Sequence, residues 1–509
     1  MKKTGEKLAR EGIFISTISL ISKGMGIIRE IALAYFFGTS KLVDAYRISM
    51  SSVFLPLHTV VGFALNDSLI PTFKNLWANN RKKLLWILVN QLSFLLTIIG
   101  IIIVLLIEFF AHGWIKLLAP GFDTERINLA VQITRWMVLV IPFYIASSLI
   151  VIVLNSFYIF KVPSLRATVQ NFFLLGAIYL TVRVNSPAPL GQAYPLAFIF
   201  FLLLLLLQLK RRWKFVWSNN IQRIKKVWAY YLVSFLPLLI FVFIQRVNIL
   251  ADKIISSFLA VGSIASLEYA RFIIETPAVT IGLGLVQVTL PFYSDLYSTG
   301  QRDKLLNNVK SVVYFGLILM IPFSLFLWLE AEDMIKIIFG YGKFKSTSID
   351  LTASALRGFS FGLWAYFSAY FLQRVYNAQR KNASLLLFAA LSLGCNIVLN
   401  IILSRIIGIE GIAVATSVAN ILFFLLLIFF LDKKLTLKLF QLMGFLFSGV
   451  VILGYGLLQL KFQIANLAQR IVVITLLETI LWVGWLMFSS DCRILLRNTR
   501  RTIQRFIRK

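Results

Sequence analysis

Read for its hydrophobic and polar positions alone, the chain is a succession of apolar runs of about 20 residues separated by short charged interruptions. A helix of about 20 apolar residues is what the roughly 30 Å hydrocarbon core of a bilayer requires. Segmentation predicts about fourteen spans, near residues 12–36, 47–73, 84–107, 132–158, 165–184, 188–208, 228–258, 265–292, 308–329, 351–376, 382–404, 410–430, 438–459 and 468–489. An even count puts both termini on one side. Alternate connections then carry most of the cations: Lys2, Lys3, Lys7 and Arg10; Lys74 and Arg81 to Lys83; Lys161 and Arg166; Lys210 through Lys226; Arg380 and Lys381; Lys433 and Lys434; and the tail from Arg493 to Lys509. The opposite connections hold Glu108, Asp123, Glu125, Glu330, Glu332 and Asp333, so the positive-inside rule predicts cytoplasmic termini.

Composition agrees with the pattern. Hydrophobic residues make up 59% of the 509 positions, above the roughly 45–50% of soluble domains, and the mean hydropathy is +0.84. The fold class is therefore an all-α polytopic membrane protein. A net charge of +30 would point to nucleic acid if it lay on one face of a soluble domain, but here it lies between spans, so no nucleic-acid partner is expected. Cys395 and Cys492 form no disulfide framework, and His58 and His112 are too scattered for a metal site. The chain has neither a phosphate-binding Gly-x-x-x-x-Gly-Lys-Ser/Thr loop nor a nucleophile elbow, which argues against an ATP-driven pump and against an enzyme. No cofactor is expected, and transport would draw on the membrane potential or a coupling ion.

Charges inside the spans carry the candidate chemistry. A Lys, Arg or Asp at the centre of a membrane helix costs about 2.5–3.5 kcal/mol, so such residues normally face a wet cavity. Lys23, Arg29 and Glu30 lie on the first span, Arg47 on the second with Asp44 just before it, Arg246, Asp252 and Lys253 on the seventh, and Glu268, Arg271 and Glu275 on the eighth. Arg29, Gly38, Asp44 and Arg47 recur at identical intervals as Lys253, Gly262, Glu268 and Arg271. Trp114-Ile-Lys-Leu-Leu-Ala-Pro-Gly121 is echoed by Met334-Ile-Lys-Ile-Ile-Phe-Gly-Tyr-Gly342, so the chain reads as two homologous halves.

If the halves face each other, these spans enclose a cationic cavity suited to a pyrophosphate, with Lys23, Arg29, Arg47, Arg246, Lys253 and Arg271 as the binding cations. Glu30, Asp44, Asp252, Glu268 and Glu275 are the candidate ion-pairing or gating acids, and Glu275 follows Arg271 by one turn. Asp44, Lys253 and Glu268 sit near helix ends, where snorkelling or capping is the alternative. Gly24, Gly26, Gly282 and Gly284 are candidate hinges. The basic stretch 210–227, with Trp213, Phe215 and Trp217, reads as an interfacial linker on anionic membrane lipids, and the tail after Cys492 as a second surface-lying segment.

Ser22-Lys-Gly-Met-Gly-Ile-Ile-Arg-Glu30, followed by Phe37-Gly38 and Asp44-Ala45, resembles the opening signature of the MurJ (MviN) lipid II flippases, in the multidrug/oligosaccharidyl-lipid/polysaccharide exporter superfamily. Leu117-Leu-Ala-Pro-Gly-Phe122, Leu154-Asn155 with Pro163, Ser256 to Gly262, Tyr269-Ala270 and Gly411-Ile-Ala-Val-Ala-Thr-Ser417 extend the likeness along most of the chain. The resemblance implies two six-helix lobes, at 1–209 and 228–431, joined by the linker 210–227. It also implies two further helices at 432–490 forming a groove for a lipid tail, with the tail 491–509 cytoplasmic. It carries the site over to Lys23, Arg29, Asp44, Arg271 and Glu275. The implied activity is alternating-access flipping of undecaprenyl-diphosphate-linked peptidoglycan precursor in the bacterial cytoplasmic membrane. Three positions depart from the family pattern: Lys23 replaces an arginine, Leu57-His58 and Gly62-Phe63 replace an arginine pair and an acid, and Arg271 stands four rather than three before Glu275. Export of lipid-linked O-antigen or exopolysaccharide units is the alternative, ahead of drug or ion antiport.

Overall fold

A computed structural model describes residues 2–58, 69, 73, 76–77, 79–157, 159–209, 216, 247–379, 381–461 and 467–488, without the side chains at 2–13, 16, most of 277–291 and a few near 460. All regular secondary structure among the described residues is helical. Two compact units divide the chain, one made of residues 1–265 with 341–345, the other of 266–340 with 346–509.

The first unit holds α1 (Lys2–Phe37), α2 (Lys41–Leu57), α3 (Lys82–Phe109), α4 (Ala111–Leu118), α5 (Thr124–Val138), α6 (Val140–Ser156), α7 (Arg166–Val184) and α8 (Ala188–Leu209). A helical stretch at 247–256 also belongs to it. Helix α5 starts where Asp123, in extended backbone, accepts the Arg126 N–H at 2.8 Å. It bends by 41° into α6, because Pro142 has no N–H to give the carbonyl of Val138 one turn earlier. Helix α2 packs on α4 and α5, and α8 packs on α5, α6 and α7, burying Tyr144, Tyr194, Phe198 and Phe201 almost completely. Helix α3 does the reverse. Its most apolar stretch is only 17% buried, and Phe94, Ile101, Ile102, Leu105 and Leu106 point outward, a surface that water would not tolerate and lipid does.

The second unit holds α9 (Ser263–Ser298), whose first turn falls at the division, then α10 (Arg302–Leu329), α11 (Ala331–Phe339), α12 (Ser346–Ser360) and α13 (Leu363–Ala378). It continues with α14 (Asn382–Phe429), α15 (Lys433–Lys461) and α16 (Leu467–Leu486). Helix α14 packs on α12 and α13, and α10 packs on α13, α15 and α16. Phe339, Phe367, Phe371, Tyr376 and Phe424 fill this unit's interior. Leu325, Leu329, Leu457 and Ile474 tie α15 and α16 to α10, and the Trp482 indole donates to the Ile318 carbonyl at 3.0 Å.

The expected duplication is visible as a repeated series of helix lengths. Helices α3 to α6 have 28, 8, 15 and 17 residues. Helices α10 to α13 have 28, 9, 15 and 16. The Trp114 and Met334 motifs begin in the corresponding short helices, α4 and α11, and run past their ends. Seven described helices are long and apolar enough to cross a membrane, or eight if the bent α5–α6 pair is one span. One of the seven is α14, which has non-helical backbone at Ile407 and Gly408, between the spans expected at 382–404 and 410–430. Part of the expected span 47–73 and most of that at 228–258 lie outside the described residues, as do the linker 210–227 except Val216 and the tail 491–509.

Candidate functional site

The charged opening of the chain folds into a compact cation cluster in the first unit. Neighbouring residues on a helix point about 100° apart, so Arg29 and Glu30 reach different partners. Glu30 is 2% exposed and turns toward α2, where one of its carboxylate oxygens accepts from Arg47, itself 4% exposed. The other oxygen accepts from Arg29 at 2.6 Å. Two guanidiniums thus share one buried carboxylate, and the trio keeps a net positive charge. Arg29 also donates to the Asn171 amide oxygen on α7 at 2.8 Å, and Asn171 donates to the Ser22 carbonyl at 3.0 Å. This fixes the Arg29 fork while leaving its side chain 19% exposed, enough to meet a ligand.

One turn along α2 from Arg47, Ser51 accepts from the Lys253 ammonium at 2.5 Å. Lys253 and Asp252 are both buried. The structure therefore gathers Arg29, Glu30, Arg47 and Lys253 around α2, and adds Asn171 and Ser51, which sequence reasoning missed. Asn171 left a signal, since an amide inside an apolar span requires a partner. Lys23 is half-buried on α1, two turns before Arg29. Helix α1 runs unbroken through Gly24 and Gly26. Arg246 lies outside the described residues, and Gly282 and Gly284 fall in α9 where side chains are not described.

Asp44 takes a different role from the cations. It is fully buried, and its carboxylate accepts the Gly262 N–H at 2.7 Å and the Ala265 N–H at 2.9 Å, capping the first turn of α9. Arg126 approaches the same carboxylate to 3.8 Å. The two glycines of the repeat make this junction possible. Gly38 has φ +58° and Gly262 φ +91°, and a Cβ on them would stand 2.6 Å from the Lys343 carbonyl and 2.5 Å from the Thr39 carbonyl. The Lys343 N–H donates to the Tyr35 carbonyl at 2.8 Å, and the Gly121 N–H donates to the Ser257 hydroxyl at 3.1 Å. Loops from both repeats thus interlock within the first unit. At its solvent edge Lys41 meets Glu125 at 2.5 Å and Asp123 at 3.3 Å. The Arg126 N–H, then Lys41, holds the Asp123 carboxyl below the usual carboxylate range.

In the second unit Glu268, Arg271 and Glu275 occupy successive turns of α9. Arg271 is half-buried, with its guanidinium 5.4 Å from the centre of the Phe359 ring, and Tyr366 interacts electrostatically with both Arg271 and Glu275. Arg166, read from sequence as a loop cation, instead turns inward over the Tyr144 ring at 4.3 Å, and the Tyr144 and His58 rings lie 5.7 Å apart, tilted by 35°. Among the described residues no group of three or more His, Cys, Asp or Glu side chains is placed to hold a metal ion.

This arrangement of helices has relatives. The solved structure of a lipid II flippase MurJ in an inward closed conformation superposes with a TM-score of 0.77 at 21% identity, over 93% of this chain and 98% of that one. An inward-facing multidrug resistance MATE family transporter of the MOP superfamily matches with a TM-score of 0.70 at 13% identity, over 85% of this chain and 99% of that one. These show the fold. The probable lipid II flippase MurJ of Buchnera aphidicola subsp. Schizaphis graminum is 26% identical over 86% of this chain and 85% of its own length. That of Thermotoga maritima is 26% identical over 84% and 85%. The sequence profile of the lipid II flippase MurJ family matches residues 33–482, from the last turn of α1 into α16, and the chain belongs to that family.

Proposed function

We propose that this multi-pass membrane protein flips lipid II, the undecaprenyl-diphosphate-linked peptidoglycan precursor, across the bacterial cytoplasmic membrane by alternating access. The observation that carries the reading is the Arg29–Glu30–Arg47 cluster. One carboxylate neutralises only one of two preorganised guanidiniums, and the Arg29 side chain stays partly exposed, within reach of a phosphate. Lys253 in the first unit and Arg271 in the second add cations of the same kind. Lys23 and Arg246 complete the proposed set, with Asp252, Glu268 and Glu275 tuning it. The Asp44 junction is the proposed gate, since it binds the start of α9 through hydrogen bonds that can be broken and remade, and Gly24, Gly26, Gly282 and Gly284 are the proposed hinges.

Fourteen spans with both termini cytoplasmic remain our reading of the charge pattern. In it the lobes 1–209 and 228–431 are joined by the amphipathic linker 210–227, and the helices within 432–490 receive the lipid tail. Outward-facing Val451, Ile452, Tyr455, Leu476 and Ile480 on α15 and α16 support that role. The driving force is the membrane potential or an ion gradient. Relatives named for lipid II cover more than four fifths of the chain, which supports this substrate over other lipid-linked glycans and over drugs or ions. The test is complementation of a strain depleted of its lipid II flippase. Growth with lipid II accessible outside the cell is the expected result; failure by a well-expressed, membrane-inserted protein would refute it.

A further inference from the structure

The second unit carries a basic cavity that the flippase reading does not use. Helix α14 ends at Phe429 and α15 begins at Lys433, and the turn between them is firmly built. Asp432 accepts the Leu435 N–H at 3.0 Å, and Thr436 donates to the carbonyls of Ile428 and Asp432, both at 2.8 Å. The first turns of α10 face this turn, and a cavity of about 980 Å³ lies between them. That volume is at the upper end of the roughly 300–1,000 Å³ of small-molecule sites.

The walls set the ligand's charge. Arg302, Lys310, Lys433, Lys434 and Lys438 line the cavity against two carboxylates, Asp303 and Asp432. Asp432 is already engaged as the cap of α15 and as a partner of Arg302 at 3.6 Å. An adjoining cavity of about 250 Å³ shares Arg302 and adds Lys381. The positive-inside rule accounts for cations along one edge of the membrane, but not for their closing around one cavity with a structured floor.

The rim sets the rest of the chemistry. Phe429 and Phe430 line the same cavity and are each 59% exposed, and Leu437, beside Lys438, is 66% exposed. A free anion gains nothing from exposed aromatic and aliphatic side chains at the mouth of its site, whereas an amphiphile places its chains there.

We propose that this cavity binds the phosphodiester headgroup of an acidic glycerophospholipid, with the acyl chains against Phe429, Phe430 and Leu437. The lipid bridges the start of α10 to the α14–α15 turn and steadies the second unit. Its placement in the inner leaflet rests on the orientation proposed above; headgroup binding itself does not.

The test uses the full-length protein in neutral detergent, titrated with phosphatidylglycerol or phosphatidylcholine in mixed micelles, with thermal unfolding as the readout. Phosphatidylglycerol should raise the melting temperature saturably and phosphatidylcholine should not. The Lys433→Gln/Lys434→Gln/Lys438→Gln variant should melt normally without lipid yet bind phosphatidylglycerol about a hundredfold more weakly, at about fivefold per lysine. A Lys83→Gln/Lys161→Gln control should bind as the parent does. If the triple variant melts abnormally, Phe429→Ser/Phe430→Ser replaces it and should weaken phosphatidylglycerol binding. An unchanged response in the informative variant would overturn the proposal. So would equal stabilisation by inorganic phosphate or pyrophosphate, which would make this an anion site rather than a lipid site. Failure of flippase complementation would leave the result intact, because no transport is measured.

Discussion

The Asp44 carboxylate accepts the Gly262 N–H at 2.7 Å across 218 residues of sequence. Both belong to the duplicated Gly–acid motif: Gly38 precedes Asp44 in the first copy, and Gly262 precedes Glu268 in the second. An acid of one repeat therefore caps the helix that the glycine of the other repeat opens. Only glycine fits there, because φ is +91° and Thr39 stands against the missing Cβ.

Removing the cap should act on gating before it acts on folding. Asp44→Ala takes an acceptor from two N–H groups and a partner from Arg126, which should lower stability by about 1–3 kcal/mol. Asp44→Asn keeps one acceptor and should lose less. Thermal unfolding of purified variants measures the first effect and complementation the second. If Asp44→Ala supported growth as well as the parent, the junction would not be a gate.

The buried trio predicts an asymmetry. Glu30→Ala leaves the buried Arg47 guanidinium, and the partly exposed Arg29 beside it, without their carboxylate and should cost about 3–5 kcal/mol, seen as poor yield of folded protein. Arg29→Ala leaves the Glu30–Arg47 pair in place and should insert and fold almost normally while failing to complement. Equal folding defects in both variants would show that the trio is only a structural ion cluster.

Arg271 should separate transport from stability in the second unit. It is half-buried, and its contact with Phe359 is worth about 0.5–2 kcal/mol. Arg271→Ala should therefore melt close to the parent and fail to complement, and Arg271→Lys should restore part of the activity. Full activity in the alanine variant would move the second unit's cation elsewhere.

Asp123 supplies a pH test outside the spans. Its carboxyl lies below the usual range because the Arg126 N–H, and then Lys41, favours the ionised form. The sign follows from linkage: the cap contributes fully above the unfolded carboxylate pKa of about 3.9, and is lost as pH falls through the lower folded value. Amide exchange at the start of α5 should quicken over that acid window. Asp123→Ala should destabilise the helix start by about 1 kcal/mol, and Asp123→Asn should keep the cap while abolishing its pH dependence. Acid-dependent exchange that persisted in the asparagine variant would exclude Asp123 as its source.

The sequence by itself determined the solvent of this protein, its helical class, its duplication and the buried charge on α1, α2 and the stretch 247–256, though not that of Arg126, Glu330, Asp333 and Glu478. Those properties are local. Partition into lipid depends on a window of about 20 side chains, and a repeat is legible wherever its intervals are kept. Arg29, Glu30, Arg47 and Lys253 could be named as a set for that reason. Their partners could not. That Glu30 serves Arg47 as well as Arg29, that Asn171 orients Arg29, and that Arg166 turns inward onto Tyr144 all depend on the rotation and depth of one helix against another. Register of that kind is set by packing along whole helix faces, which a single sequence does not specify. The tertiary structure alone decided that Asp44 closes the start of α9 and that residues 341–345, from the second repeat, belong with the first unit. Backbone donors at a helix start attract whichever carboxylate the fold brings within reach, and reach is a property of three dimensions.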